Sequence, residues 1–275
     1  MRRLLLTVGA LLVFAASFTA QTPYRILVAD DDGVEAPGIE ALADALKPLG
    51  EVIIVAPRTN QSGKGHSLTL GESIVRTDLT LPSGMKAIGL SATPATTVKV
   101  ALALIVKPKP DLVVSGVNRG FNLAMASYIS GTVGGAREAA LQGIPAIASS
   151  LAHPASTDVA SYRPAAEMTA RVAAIVKKHG LPRGVFLNVN VPAGTVATFK
   201  GLKLTTQGLQ PGGTETFSEA QEDGKTVYKS LFVEGGPDAV GSDTWAVQQG
   251  WVTVVPLHVG EFDARALKTL QKLFR

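Results

Sequence analysis

Short runs of apolar and β-branched residues alternate along this chain with stretches whose apolar positions return every three or four residues, the periods of buried strands and amphipathic helices. Arg25 to Ala29 reads as a strand, Pro37 suits the first turn of a helix over Gly38 to Leu49, and Glu51 to Ala56 reads as the next strand, which makes a βαβ unit. The alternation then returns. Thr93-Pro94 opens a helix to about Val106, Asp111 to Ser115 is a buried strand, Val133 to Gln142 is helical, and Ile144 to Ser149 is again a strand. Ala165 to His179 is a long helix with Lys177, Lys178 and His179 in its last turn, where cations suit the helix dipole. Such a pattern predicts an α/β fold of Rossmann-like, doubly wound type: a mostly parallel sheet with helices on both faces.

After Gly180 the pattern changes. Val185 to Val191 and Leu202 to Thr206 are strand-like, whereas Gln207 to Gly241 is rich in glycine and polar residues around one strand candidate, Thr226 to Val233. This stretch reads as a β-rich excursion over about 203–241, a β-hairpin arm suited to subunit contact. Trp251 to Val259 returns as a strand and Phe262 to Phe274 as a closing helix. Residues 25–275 are therefore expected to form one α/β domain.

Composition narrows the chemistry. With 46% hydrophobic and 17% charged residues among 275, the chain is globular, and disorder, collagen and coiled coil are excluded as overall descriptions. The absence of cysteine removes disulfides, thiolate metal sites and thiol nucleophiles, so a metal would be held by oxygen or imidazole. The four histidines show no paired spacing for zinc. Met1-Arg2-Arg3 followed by an apolar run from Leu4 to Phe18 has the form of a secretory leader, read here as residues 1–20, and is too short for a comfortable membrane span. Cleavage after Ala20 would leave bulky Phe18 near the site, whereas cleavage after Ser17 would leave small Ala15 there. The expectation is export, to the periplasm, with a cytoplasmic protein the alternative if the leader is not a signal. The formal charge of +4 falls further without Arg2 and Arg3, which offers nothing toward a nucleic-acid duplex or a membrane surface as partner.

Open parallel sheets bind ligands beyond the carboxyl ends of their strands. Four such places are unusually polar: Asp30-Asp31-Asp32-Gly33, Asn60-Gln61-Ser62-Gly63-Lys64-Gly65, Asn118-Arg119-Gly120-Phe121-Asn122 and Ser130-Gly131-Thr132. Three successive carboxylates repel one another, by about 4 kcal/mol for two charges about 4 Å apart at an effective dielectric near 20. Protonation or a cation relieves that repulsion, and carboxylates with serine and asparagine oxygens form a hard-oxygen set suited to Mg²⁺ or Mn²⁺. A turn that merely capped the helix at Pro37 would need one carboxylate, not three. Ser130-Gly131-Thr132 at a helix start presents backbone N–H groups and hydroxyls at the positive end of a dipole, a phosphate cradle when it shares the edge with a cation and a plain cap otherwise. Lys64 could add charge to the same anion or stand solvated in its loop. Ser130 lacks a G-x-S-x-G context, and there is no Walker-type loop.

These residues, taken together and in order, resemble the SurE family of 5′/3′-nucleotidases. The resemblance rests on Ile26 to Val34, Ala36-Pro37-Gly38-Ile39, Val55-Ala56-Pro57, Asn60 to Gly63, Ser67 to Leu70, Ser115-Gly116-Val117-Asn118, Ser130 to Val133, Asn188 to Pro192 and Pro256-Leu257-His258. It implies that Asp31, Asp32, Ser62 and Asn118 bind one divalent metal, that the carboxyl-terminal segment is swapped between subunits of a homodimer or homotetramer, and that nucleoside monophosphates or other small phosphomonoesters are hydrolysed. Asp30 stands where the family has asparagine, Ala29 where it has serine or threonine, and Ala124, Met125 and Ile129 depart on the substrate side.

The expected chemistry is metal-assisted phosphomonoester hydrolysis, with Asp31 and Asp32 catalytic, Ser130, Gly131 and Thr132 around the phosphate, and Asn122 and Lys64 toward the substrate. Asp30 and Asp31 are both open as the base, because coupled carboxylates titrate as a set. Two other readings are carried. Asp30 to Val34 also fits the D-x-D-G-[TV] turn of haloacid-dehalogenase-type phosphatases, with Asp30 the nucleophile, and an exported homologue that binds nucleotide or metal without turnover would show the same acidic turn.

Overall fold

The computed structural model describes residues 23–209, 213–235 and 238–274. The leader read at residues 1–20 lies outside the described residues. β1 (Arg25–Ala29), α1 (Pro37–Leu46) and β2 (Glu51–Pro57) form the expected first unit, followed by β3 (Arg76–Thr80), β4 (Lys86–Leu90), α2 (Pro94–Val100) and β5 (Leu112–Arg119). Then come α3 (Gly131–Leu141), β6 (Ala146–Leu151), α4 (Val159–His179), β7 (Val185–Val191) and β8 (Leu202–Leu204). The chain ends with β9 (Gly213–Glu222), β10 (Lys225–Glu234), α5 (Asp243–Gln248), β11 (Val252–His258) and α6 (Ala264–Leu270).

Nine strands form one sheet in the order β3-β4-β2-β1-β5-β6-β7-β11-β8. The strands from β4 to β7 run parallel, and only β3 against β4 and β11 against β7 are antiparallel. β1 pairs with β2 on one side and β5 on the other, so the order of strands reverses at β1. That reversal opens a crevice at the carboxyl end of β1, the switch point where such sheets take ligands.

The alternation of β1 sends its side chains into two cores. Ile26 and Val28 pack with Ile39 and Leu42 of α1 and Met168 and Val172 of α4, while Leu27 and Ala29 face Val98 of α2, Val133 and Ala136 of α3, and Phe186. Each large side chain buried in this way contributes about 1.5–3 kcal/mol. Continuation of the same alternation past Ala29 puts Asp30 on the α1/α4 side and Asp31 on the α2/α3 side, which decides what each carboxylate can do.

The boundaries depart from the sequence reading where local context outweighs period. The helix expected to about Val106 is α-helical only to Val100 and continues as a π-helical segment over Ala101–Ile105. α4 starts at Val159 rather than Ala165, because the Asp158 carboxylate accepts from the Ser161 N–H as an N-cap and Pro164, near the start, is tolerated inside the helix. The single strand candidate at Thr226 to Val233 is the second strand of a hairpin, closed by Asp223-Gly224 with φ of +50° and +74°. Asp-Gly suits the two left-handed positions of such a two-residue turn. β3, β4 and α5 have no counterpart in the pattern, being short and only partly buried or flanked by glycine.

β5 runs on to Arg119 instead of ending at Ser115, and its register against β6 shifts between Ser115 and Asn118. Gly116 makes this bulge possible, with φ of +140° and with room for no Cβ, which would lie 2.3 Å from the Ser149 carbonyl oxygen. Among the described residues no helix is long and apolar enough to cross a membrane.

Candidate active site at the switch point

Asp30-Asp31-Asp32 leaves β1 at the crevice. Asp30 is fully buried and Asp31 nearly so, at 0% and 3% exposure. Asp31 Oδ1 accepts from the Thr132 hydroxyl at 2.5 Å, which joins the acidic turn to the first turn of α3. Asp32 Oδ2 accepts from the Arg119 N–H at 2.8 Å and its Oδ1 from the Asn60 side-chain amide at 3.3 Å. The β5 bulge thus delivers Asn118 and Arg119 to the acidic turn, Asn118 itself being held by donation from Nδ2 to the Gly120 carbonyl at 2.7 Å.

Electrostatics in this turn follow from burial. Burial first, then Asp32 and Asp31, push the Asp30 carboxyl well above the usual carboxylate range, against the lowering effect of the Asp31 N–H. Asp32 is pushed up to about 6, again by burial first, with Asp31 raising it and the Arg119 N–H and charge pulling it down. Tyr162 of α4 is raised by burial and by Asp32 and Asp30, which marks it as a neighbour of the turn from the opposite face. None of the ion pairs among the described residues involves Asp30, Asp31 or Asp32, and Asp30 Oδ2 is buried without a hydrogen-bond partner. A cluster of carboxylates without a paired side-chain cation fits a divalent ion. Among the described residues no three histidine, aspartate or glutamate side chains gather as a metal cage, so a divalent ion at this turn would need neutral oxygens as well, and Ser62 and Asn118 are the next residues to Gln61 and Arg119, whose main-chain N–H groups bond to the turn. Asp30, fully buried toward α1 and α4, is poorly placed to attack a substrate.

The second polar loop docks onto this turn through its backbone. The Gln61 N–H donates to the Asp31 carbonyl at 2.7 Å, the Ser62 N–H donates to Asn60 Oδ1 at 2.9 Å, and Ser62 and Lys64 are exposed. The Gly65 N–H donates to the Ile129 carbonyl at 2.9 Å, one residue before Ser130. Acidic turn, loop and α3 N-terminus therefore meet. At Gly131 a Cβ would lie 2.8 Å from both Cβ and Oδ2 of Asp31 and 3.0 Å from Pro94, so only glycine lets the helix start this close to the carboxylate. Ser130 Oγ caps α3 by accepting from the Val133 N–H at 3.1 Å, and Thr132 is committed to Asp31. The N–H groups of Gly131 and Thr132, in a first turn that has no intrahelical acceptor, are then the donors that a candidate anion cradle would use.

Asn122 sits behind the cradle. Its N–H donates to Asn190 Oδ1 at 2.8 Å, its Nδ2 donates to Ser150 Oγ at 2.8 Å, and its carbonyl accepts from Asn188 Nδ2 at 2.8 Å. This buried amide network is the structural content of the Asn188-Val189-Asn190 motif. Sequence reasoning missed Arg119 and Tyr162 as neighbours of the acidic turn. Arg119 acts through its main-chain N–H, which leaves no side-chain signature, and Tyr162 arrives from a helix with no motif of its own. A cleft of about 370 Å³, with Gln61, Leu68, Leu70 and Thr93 in its wall, adjoins the loop. A larger one, about 590 Å³, lies among Tyr128, Arg137, Gln207 and His258, and none of the candidate metal or cradle residues lines it.

Glu138, on α3 below the cradle, is 3% exposed. Burial raises its pKa, but hydrogen bonds from His66 and Gln142 and the charge of Lys99 outweigh this and hold it below its ordinary value of 4.5. A carboxylate with a lowered folded value adds stability above the unfolded value and loses it as pH falls through the folded one. The melting-temperature gap between the parent and Glu138→Gln is expected to be open at neutral pH and to close as pH drops below about 4.5. A gap as wide in acid as at neutral pH, with no narrowing anywhere below 4.5, would show that the charge of Glu138 is not what stabilises the fold there.

Fold and site together define an open, doubly wound α/β protein with an acidic turn and a helix N-terminus meeting at its switch point. Residues 26–212 match the family model described as survival protein SurE, and the chain belongs to that family. It is 38% identical over 249 residues to the 5′-nucleotidase SurE of Geotalea daltonii, covering 90% of this chain and 98% of that one. It is 40% identical over 251 residues to the 5′-nucleotidase SurE of Geobacter sulfurreducens, covering 90% and 92%. The crystal structure of the SurE protein from Aquifex aeolicus is similar at a TM-score of 0.79 with 35% identity, covering 91% of this chain and all of that one.

Proposed function

We propose that this protein is a metal-dependent phosphomonoesterase that hydrolyses nucleoside 5′- and 3′-monophosphates to nucleoside and phosphate. The observation that carries the reading is the Thr132–Asp31 hydrogen bond, which sets an uncompensated carboxylate cluster against the open first turn of α3. Membership of a family whose curated relatives are named 5′-nucleotidases supports it. Asp31, Asp32, Ser62 and Asn118 would hold one Mg²⁺ or Mn²⁺. That ion would supply Lewis-acid polarisation of the phosphoryl group and a more acidic water.

The chain's own residues supply position. The Gly131 and Thr132 N–H groups hold phosphoryl oxygens at the positive end of α3. Thr132 fixes Asp31, and the Arg119 N–H with Asn60 fixes Asp32, so neither carboxylate has to be ordered when substrate arrives. Ser130 holds the helix start in shape, Lys64 adds positive charge from the loop, and Asn122 braces the cradle from behind. The 370 Å³ cleft is of a size for a nucleoside-like group.

Phosphate release from a panel of nucleoside 5′- and 3′-monophosphates tests the proposal. Release is expected with Mg²⁺ or Mn²⁺, to fall to background with a chelator, and to return when the ion is restored in excess. Release undiminished by the chelator would exclude the metal, and nucleotide binding without release under either ion would favour the non-catalytic reading.

Residues 25–275 are proposed as one domain, exported after loss of residues 1–20, and working as a homodimer or homotetramer. The exposure of Phe217, Tyr228 and Leu231 on the hairpin and the lack of any buried residue in α6 support an oligomer. A swapped carboxyl-terminal segment would cover α6.

A further inference from the structure

The loop between β2 and β3 carries Ser62 and Lys64 without regular secondary structure of its own, and long loops of this kind are usually functional. Several contacts hold it. Gln61 is bonded to Asp31 and Gly65 to Ile129 through the main chain. Gly65 also lies directly on α3, where a Cβ on Gly134 would come within 2.2 Å of the Gly65 carbonyl oxygen. On the far side, the Thr69 N–H donates to Thr96 Oγ1 at 2.8 Å and the Thr93 N–H donates to Thr69 Oγ1 at 3.0 Å, tying the loop to α2. Between these, His66 Nε2 meets Glu138 Oε2 at 2.9 Å.

That last contact differs in kind. Glu138 is ionised and nearly sealed from water, and it accepts from His66 on one oxygen and from Gln142 Nε2, at 3.0 Å, on the other, with Lys99 Nζ at 3.5 Å. An ionised acceptor has no proton to give, so His66 is the donor. A hydrogen bond to a buried charge is stronger than a neutral one, and His66 stands between the residues proposed for metal and phosphate and the attachment to α2. We propose that His66 and Glu138 are positioning residues of the nucleotidase reaction: their contact holds the loop on α3, so that Ser62 and Lys64 are already set before substrate binds.

The inference rests on the nucleotidase reading but makes a claim about the loop that can be measured without it. When the contact is lost, the loop must be ordered on binding, and apparent affinity falls by the fraction of molecules already in the competent arrangement. Turnover of bound substrate is little changed.

The test uses the full chain with His66→Ala and His66→Gln, of which the second keeps an N–H donor. Position 66 lies in a loop and is only partly buried, so misfolding is a small risk, and melting temperature checks it. In the metal-free protein, His66→Ala is expected to speed hydrogen exchange of the Lys64 to Ser67 amides while α3 keeps its protection. With Mn²⁺ and a nucleoside monophosphate, its KM should rise about tenfold with kcat within about twofold, and His66→Gln should recover part of both effects. Unchanged exchange in His66→Ala would overturn the proposal, as would a fall in kcat at constant KM or a loss of protection throughout the fold. If the parent protein released no phosphate from any nucleotide, the functional reading would fail while the exchange result still decided whether the contact holds the loop.

Discussion

Asp32→Asn is expected to lower kcat/KM by at least about a hundredfold, some 2.7 kcal/mol of transition-state stabilisation, while the melting temperature of the metal-free protein stays level or rises. The two halves have one cause. Asp32 sits in a turn with two other carboxylates, and burial together with Asp31 raises its pKa, so its charge is unfavourable to the fold when no cation is present. Asparagine keeps the size and one acceptor oxygen for the Arg119 N–H or the Asn60 amide, and removes a charge from a crowded set of carboxyl groups. What it cannot supply is the anionic oxygen that a divalent ion needs. Residues that function requires at the expense of stability behave in this way. Circular dichroism and thermal melts with and without Mn²⁺ separate the effects: the parent should gain stability from the ion, and the variant should gain little. Full turnover by the variant would remove Asp32 from the site.

Gly131→Ala carries the next largest effect, at least about tenfold in activity with about 1–3 kcal/mol of stability lost to overpacking. The added methyl would lie 2.8 Å from Asp31 Cβ and 3.0 Å from Pro94. Neither neighbour retreats cheaply, because Asp31 is buried and bonded to Thr132, and Pro94 begins α2. Either Asp31 shifts and the Thr132 bond is lost, or the α3 N-terminus backs away from the carboxylate. Both separate the proposed phosphate cradle from the proposed metal ligands. Activity close to the parent would mean that the spacing between Asp31 and α3 is not what sets the rate.

How far the molecule was legible beforehand varied by element and for physical reasons. The central strands and α1, α3 and α4 were readable because burial on one or both faces imposes a period on the residues themselves. Edge strand β3 was not, since a half-exposed edge has little constraint on either face, and β4, although inside the sheet, is too short at five residues to impose a period. The start of α4 was hidden behind Pro164, whose general cost in a helix is offset by the Asp158 cap. Of the site, the acidic turn, the glycine-rich loop, the asparagine after β5 and the Ser130 helix start were each visible as polar residues in places where a packed core has no use for them. Their separate duties were not visible. The Ser130 cap could be read locally, but nothing local says that Thr132 serves Asp31 or that Asn122 braces from behind.

Composition and order of residues were thus enough to exclude thiol chemistry and to settle the α/β alternation and the sheet edge on which the polar turns lie, because period, charge and the lack of cysteine are properties of the chain alone. Tertiary structure decided which carboxylate faces which core, through the two-residue alternation of β1. It decided that a bulge at Gly116 carries Arg119 to Asp32, and that His66 of the loop meets Glu138 on α3. These are contacts between residues far apart in the chain, and the distance between such residues is set by packing rather than by any local preference.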